Sequence, residues 1–261
     1  MRIATWNVNS IRARLPRVLH WLETTRPDVV CLQETKCLDH QFPREPIEDL
    51  GYSIETFGQK TYNGVAILSL AGMEDVVRGF PDDDEDAQRR VIGATIGDVM
   101  VLNLYVVNGE KVGSPKYDYK LDWLAKLNAF VAERYPLGAQ GDAAEKIVLC
   151  GDFNITFDDR DMVDPEANKG KVFCSEPERG ALAELCDQGL TDAYRHFHEE
   201  PGQFTWWDFR TRGFQRDDGL RIDHFLMSDA ALAVCSDVEI EKGMRGGEKP
   251  SDHAPVTATL E

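Results

Sequence analysis

Asp152 and Asn154 stand two residues apart, just after the apolar run Ile147-Val148-Leu149-Cys150 and a glycine, Gly151. A carboxylate and a carboxamide delivered together at a strand's end can bind a hard cation, take a proton from water or hold an oxyanion. In extended backbone both side chains leave the same face. Gly151 reads as the stop of the run, and the fragment reads equally as a turn, because Asp, Asn and Gly dominate turns for backbone reasons. A second group of interest is Asp252-His253, within Pro250-Ser251-Asp252-His253-Ala254-Pro255. Alone, it reads as a capped turn before a strand. Asp223, closing Leu220-Arg221-Ile222, offers a carboxylate that can orient His253 and keep it basic, as phosphoryl chemistry requires.

These groups need strands to present them. Arg2 to Asn7 reads as a first strand. Leu15, Val18, Leu19 and Leu22 recur at helical spacing, with Pro16 suited to a first turn and Pro27 closing the helix. Asp28 to Leu32 is a second buried strand and leads into Gln33-Glu34-Thr35-Lys36. Gly64 to Ser69 is a further strand, and Arg90–Ile96 with Val99–Tyr105 forms a hairpin turning at Gly97-Asp98. Leu121, Leu124, Leu127 and Val131 mark a long helix reaching about Tyr135, followed by a loop over 136–144. A helix containing Leu182 and Leu185 stops at Gly189. Strands are expected at Phe204–Trp207, Leu220–Met227, Val234–Ile240 and Ala254–Leu260. The strand-helix-strand order implies a layered α/β fold, read as one domain over 1–261. Trp6-Asn7 and Asp152-Phe153-Asn154 form a weak internal echo that suits two similar halves. Asn7, Glu34, Asp152, Asn154, Asp223, Asp252 and His253 all close or follow apolar strands, without cysteine partners. That placement suggests an oxygen-lined divalent site favouring Mg²⁺ or Mn²⁺.

Composition sets bounds. With 42% hydrophobic and 29% charged residues the chain reads as soluble and globular, without a run of the ~20 apolar residues of a membrane span. Met1-Arg2-Ile3 enters a strand directly, which leaves no room for a signal peptide and gives a cytoplasmic expectation. The six cysteines lack a Cys-x-x-Cys pair and read as reduced thiols. The net charge of −17 runs against the basic face expected of a phosphate-backbone binder, although a local basic strip and a bound cation can offset it. Pro81-Asp82-Asp83-Asp84-Glu85-Asp86 reads as a solvated loop.

The sequence resembles the exonuclease III family of abasic-site DNA endonucleases, within the endonuclease–exonuclease–phosphatase superfamily. The likeness lies in Trp6-Asn7-Val8-Asn9, Gln33-Glu34-Thr35-Lys36, Gln88-Arg89-Arg90-Val91-Ile92, Tyr105-Val106-Val107-Asn108-Gly109, Gly151-Asp152-Phe153-Asn154, Gly219-Leu220-Arg221-Ile222-Asp223 and Lys249 to Val256. These pieces run from first strand to last. The resemblance implies a DNase I-like four-layered α/β sandwich, two mixed β-sheets face to face and flanked by helices. It implies Glu34 on the metal, Asn7 beside it and Asp252 as a further ligand or support; Asp152, Asn154 and His253 border the same metal. Asp152 would orient or deprotonate the attacking water, Asn154 and His253 bind the scissile phosphate, and Asp223 orient His253. Tyr105 would point its phenol at the phosphate and Asn108 contact the backbone. Trp206, Leu220 and Ile222 would wall a pocket for a flipped-out, base-less sugar; read without the family, Phe204, Trp206 and Trp207 are core aromatics.

Arg210, with Arg212 and Arg216, reads as a loop facing DNA, while Lys111 and Lys116 read as solvated surface. The implied activity is Mg²⁺-dependent cleavage of DNA 5′ to abasic sites with 3′→5′ trimming, Mn²⁺ substituting. The expected partner is double-stranded DNA bearing abasic sites or blocked 3′ ends, met by a monomer that associates with the nucleoid. Val107 stands where many relatives carry proline, and Phe173 sits near where relatives differ in their activity balance. Rival readings are another phosphoesterase of the superfamily, acting on inositol phosphates, phospholipids or RNA tails, and a non-catalytic binding module.

Overall fold

Two parallel strand pairs, one in each of two sheets, organise the molecule. β1 (Arg2–Asn7) and β2 (Val29–Gln33) pair in parallel through the crossover helix α1 (Ile11–Thr25). Their apolar runs are buried on both faces, which suits a parallel pair covered by helix and sheet. β3 (Ser53–Phe57), β4 (Val65–Ser69), β11 (Cys235–Ile240) and β12 (Val256–Leu260) complete the first sheet, ordered β11-β12-β1-β2-β4-β3. The second contains β5 (Glu74–Arg78), β6 (Val91–Ile96), β7 (Val99–Tyr105), β8 (Lys146–Asp152), β9 (Leu190–Asp192) and β10 (Asp223–Ser228), ordered β5-β6-β7-β8-β10-β9. β7 and β8 are its parallel pair, joined by the long helix α3 (Pro115–Arg134). Short helices α2 (Arg44–Glu48), α4 (Pro165–Asn168), α6 (Ala193–Phe197), α7 (Gly213–Arg216) and α8 (Asp229–Leu232) sit between strands, and α5 (Glu176–Asp187) lies beside α3. This computed structural model describes residues 1–135, 137 and 145–261. The loop expected over 136–144 lies outside them, Leu137 excepted.

Four layers result. Ile3, Val29, Cys31 and Ile67 of one sheet meet Val101, Val148, Cys150 and Phe225 of the other in the central core. Trp21 and Leu22 of α1 cover Trp6, Leu32 and Leu68 outside the first sheet. Trp123 and Leu127 of α3, with Leu182 of α5, cover Leu102 and Leu149 outside the second. The expected four-layered sandwich of mixed sheets is the fold. A polar clamp crosses the central core: the Gln33 amide donates to Thr5 Oγ1 at 2.8 Å and Asn103 Oδ1 at 2.7 Å, and Asn103 donates to the Leu32 and Ala66 carbonyls. It ties the two sheets together at the position just before Glu34.

Several local expectations change. α1 begins at Ile11, so Pro16 lies inside the helix and not in its first turn. An interior proline costs about 3 kcal/mol. Burial of Ile11, Val18, Trp21 and Leu22 outweighs it at about 1.5–3 kcal/mol per side chain. Gly151 does not end β8 but lies within it, at φ +144°. Phe204–Trp207 forms no strand, only isolated bridges from Trp206 to Leu220 and His253. The halves do repeat, but the sheet orders equate β1 with β7 and β2 with β8. Asn7 therefore corresponds to Tyr105, and the end of β2 to Asp152, not Asn7 to Asp152. All six cysteines are free thiols.

Candidate active site

Strand ends at one rim of the sandwich gather the polar residues. Asn7 ends β1 and lies opposite Gln33, so Glu34 is one residue past β2. In the other sheet Asp152 pairs with Tyr105 on one side and Asp223 on the other. Gly151 makes that close pairing possible. A Cβ there would stand 1.9 Å from the Leu104 carbonyl oxygen, so no larger residue fits without parting β7 from β8. Glu34 and Asn154 occupy left-handed backbone at φ +52° and +51°. Such backbone is costly for residues other than glycine and concentrates at functional sites. Asn154 thus does not share an extended face with Asp152. It turns back, and its backbone N–H donates to Asp152 Oδ1 at 2.9 Å.

The side chains interlock. Asn7 Nδ2 donates to Glu34 Oε1 at 2.8 Å and to Asp152 Oδ2 at 2.9 Å. Tyr105 donates its hydroxyl to Glu34 Oε1 at 3.0 Å, while Lys36 Nζ holds Glu34 Oε2 at 2.6 Å. Lys36 also donates to Asn9 Oδ1, and Asn9 donates to Asp252 Oδ1 at 2.8 Å. Trp206 Nε1 donates to the other Asp252 oxygen at 3.1 Å. His253 Nδ1 lies 2.8 and 3.1 Å from the Asp223 oxygens, and its Nε2 lies 3.7 Å from Asp152 Oδ2. His253, Asp223 and Asp152 are all buried. Burial alone would depress the His253 pKa, but the Asp223 and Asp152 carboxylates carry it up to about 10, so the imidazole is cationic at neutral pH. Burial, reinforced by Asp223 and Glu34, raises Asp152 well above the usual carboxylate range, against the pull of His253. Burial also opposes the Glu34 charge, yet Lys36 and Asn7 hold its pKa low. Tyr105 is pushed up by burial and by Glu34, so it remains a hydroxyl donor.

A cavity of about 310 Å³ opens over this network, lined by Glu34, Asp152, Asn154, Phe173, Trp206 and His253 among others. Asn108 and Arg210 reach it. Leu220 and Ile222 do not line it. Leu220 is hydrogen-bonded to the Trp206 backbone and Ile222 is buried behind it, so Phe173 and Phe209 take their place on the apolar wall. Arg210 is exposed but forms a two-pronged pair with Asp208, and Arg216 pairs with Asp218. The arginine loop therefore carries much of its own neutralising charge. Lys116 pairs with Glu110 in solvent.

Sequence reading gave no role to Lys36, Asn9 or Phe209. Lys36 and Asn9 lie inside the quoted motifs, whereas Phe209 looks like any loop aromatic. Beneath the cavity, Lys120 is buried against Glu178 and donates to the Asn154 carbonyl at 2.7 Å. Neither its helical position nor its charge advertises this.

Among the described residues, Asp152, Asp223 and His253 offer ligand atoms within 4.8 Å of one another. Their chemistry favours a different division of labour. Asp223 is committed to His253, and a protonated imidazole has no lone pair for a metal. Asn7 presents its N–H groups to the carboxylates, since its Oδ1 accepts from the Asn9 backbone N–H at 2.9 Å. Asn154 spends its amide on Val106 O and Asn108. The carboxylates lining the cavity are those of Glu34, Asp152, Asp252 and Asp208, the last paired with Arg210. An oxygen-only set suits a hard divalent cation.

The paired His253 and Asp223 and the crowded carboxylates thus gather at the strand ends of two packed sheets, beneath one cavity. The chain belongs to the Endonuclease/Exonuclease/phosphatase family, whose profile matches residues 4–253. Among curated proteins it is similar to "Exodeoxyribonuclease III" of Haemophilus influenzae, 36% identical over 99% of each chain. Among solved structures it is similar to a 3′ phosphatase from Neisseria bound to a product DNA hairpin, with TM-score 0.94, 46% identity and coverage of 100% of this chain and 99% of that one. An AP endonuclease from Archaeoglobus fulgidus gives TM-score 0.93 and 35% identity over 100% and 99%. The chain is therefore a nuclease-type hydrolase. Among the described residues no helix is long and apolar enough to cross a membrane.

Proposed function

We propose that this chain is a Mg²⁺-dependent DNA phosphodiesterase, with Mn²⁺ as a substitute, that cuts 5′ to abasic sites and trims 3′ ends. The observation carrying the reading is the buried Asp223–His253 pair set 3.7 Å from Asp152 and joined through Asn7 to Glu34. The names of its relatives (exodeoxyribonuclease III, AP endonuclease, 3′ phosphatase with a DNA hairpin) supply the substrate class.

Asp152 takes the proton of the attacking water, a task suited to a carboxylate whose pKa burial has raised. The Asn154 backbone and Asn7 fix its two oxygens, so the base does not wander. His253, cationic and oriented by Asp223, donates from Nε2 to a non-bridging phosphate oxygen as charge builds there. Glu34, with Asp152 or Asp252 as further oxygen donors, would hold the cation, which would supply positive charge near the departing 3′ oxygen. Tyr105 and Lys36 hold Glu34 from opposite sides. Asn108 and Arg210 contact the strand at the cavity mouth. Both sheets contribute site residues, so we read 1–261 as one functional domain acting as a monomer.

Phe173 favours a second balance of activities. Its backbone is left-handed at φ +75°, and its ring packs edge-on to Trp206 at 6.0 Å within the cavity. A flipped, base-less sugar must lodge against Trp206, in space this ring narrows, so 3′-end processing outpaces abasic-site incision. The test is a substrate panel with Mg²⁺: a duplex with an internal tetrahydrofuran site, a recessed 3′ end, a 3′-phosphate and an inositol phosphate. Turnover of the DNA substrates, fastest at 3′ ends, is expected. Intact DNA at high enzyme concentration, or preference for inositol phosphate, defeats the reading.

A further inference from the structure

Three arginines are buried, and two of them are satisfied. Arg90 donates to Gln88 and the Tyr105 carbonyl, and Arg221 forms ion pairs with Asp161 and Asp192. Arg245 is different. It is 5% exposed, forms no ion pair among the described residues, and donates only to the Trp207 carbonyl, at 3.4 Å. Its Nε is buried without any partner. The guanidinium lies instead against the rings of Phe209 and Phe214, whose centres are 4.3 and 5.2 Å away. Nearby acceptors are already taken, because Arg17 gathers the carbonyls of Met244, Gly246 and Glu248. Asp252 attracts it without forming an ion pair, and an enclosed charge left unpaired is costly, since arginine does not shed its proton to escape.

Arg245 borders a pocket of about 480 Å³, shared with Phe209, Arg212, Phe214, Gln215 and Pro250. Arg212, exposed, adds a second cation to the pocket lining. Phe209, 43% exposed, is also a wall of the cavity over Asp152 and His253, so the two hollows are neighbours across one aromatic ring.

We propose that the Phe209–Arg245–Phe214 pocket receives a backbone phosphate of the DNA strand adjoining the one being hydrolysed, with Phe209 packing between the two phosphates. Arg245 supplies the donors and Arg212 a second charge, while the phenylalanines hold the guanidinium plane ready. This rests on the proposed action on DNA. It also accommodates the chain's acidity, since a few placed cations can grip the strand where average charge repels it.

The test is equilibrium binding in chelator, so that no cleavage occurs, with a tetrahydrofuran duplex shortened one nucleotide at a time on either side. Arg245→Gln should bind the full duplex about tenfold more weakly, as expected for one charge-assisted contact. The slope of log affinity against log salt should flatten by about 0.9, as expected for one phosphate contact. Both differences should vanish once the duplex is trimmed past one position on one side. Should Arg245→Gln fail to fold, wild type decides: its own slope must fall by about 0.9 in a single trimming step. Wild-type-like binding by Arg245→Gln, or a loss independent of duplex length, overturns the pocket while leaving the functional reading intact. Inorganic phosphate that quenches tryptophan fluorescence at matched ionic strength, without weakening duplex binding, assigns the pocket to a free anion and overturns the DNA assignment. Wild type that binds no duplex at all sinks the functional reading itself.

Discussion

Replacing Asp223 with asparagine isolates what keeps His253 cationic. Burial works against the charged imidazole, and Asp223 and Asp152 carry its pKa up to about 10. Measured from an ordinary histidine at about 6.5, that is roughly 3.5 pH units, or about 5 kcal/mol at about 1.36 kcal/mol each. Asp223 grips Nδ1 at 2.8 and 3.1 Å, whereas Asp152 stands 3.7 Å from Nε2, so Asp223 carries the larger share. An opposite charge this close moves a pKa by about 1–3 units, so Asp223→Asn should bring His253 down by about two, to about 8. Nuclear magnetic resonance of the imidazole ring protons, titrated in chelator, reads this directly. Between pH 8 and 9 the variant should then lose turnover that wild type retains, by about twofold at pH 8 and about tenfold at pH 9 as its imidazole gives up the proton. The stability sign follows from linkage. The folded pKa lies above the unfolded one, so the pairing stabilises fully below about pH 6.5 and its contribution is lost as pH rises through about 10. Chemical denaturation should therefore show Asp223→Asn costing most near pH 6 and little near pH 10. A variant imidazole still titrating near 10, or a wild-type one near 6.5, refutes the reasoning.

Other substitutions probe separate parts of the site. Gly151→Ala places a Cβ 1.9 Å from the Leu104 carbonyl oxygen and must force β7 from β8. A loss above about 4 kcal/mol is expected by thermal denaturation, and wild-type melting contradicts the account. Phe173→Gly removes the ring beside Trp206 and relieves left-handed strain worth about 1 kcal/mol. Tetrahydrofuran incision should rise about tenfold relative to 3′ trimming, about 1.4 kcal/mol of barrier, without a fall in Tm; an unchanged ratio counts against the cavity argument. Lys120→Met strands the fully buried Glu178 carboxylate and frees the Asn154 carbonyl. The expected cost is about 3–5 kcal/mol, a Tm drop of roughly 10 °C, and a drop near zero denies the pair its role.

The sequence exposes the site more readily than the details of its walls. β1, β2, β7 and β8 are legible because their mostly apolar, buried runs need cover on both faces, and their ends mark the rim where Asn7, Glu34, Tyr105 and Asp152 meet. β3 and β5 escaped because edge strands such as Ser53–Phe57 and Glu74–Arg78 carry polar residues on an open face. Periodicity places side chains in extended backbone, so the left-handed turn at Asn154 and the glycine inside β8 were misread. The pocket walls were wrong for a related reason. Leu220, half-buried, is held in a backbone bridge to Trp206 and Ile222 is buried, and only the folded loops bring Phe173 and Phe209 forward. Arg245 carries no sequence signal at all, since its meaning lies in the missing carboxylate.

In the proposed function, Asp152 and a divalent cation held at Glu34 act together on a DNA phosphodiester. Single-turnover cleavage of a 3′-recessed duplex, measured for wild type and Asp152→Asn with Mg²⁺ and with chelator, tests it most directly. Product is expected only from wild type with Mg²⁺, with a rate at least about 10³-fold lower for Asp152→Asn although it still binds the duplex. Equal rates with chelator present, or undiminished cleavage by Asp152→Asn, would contradict it.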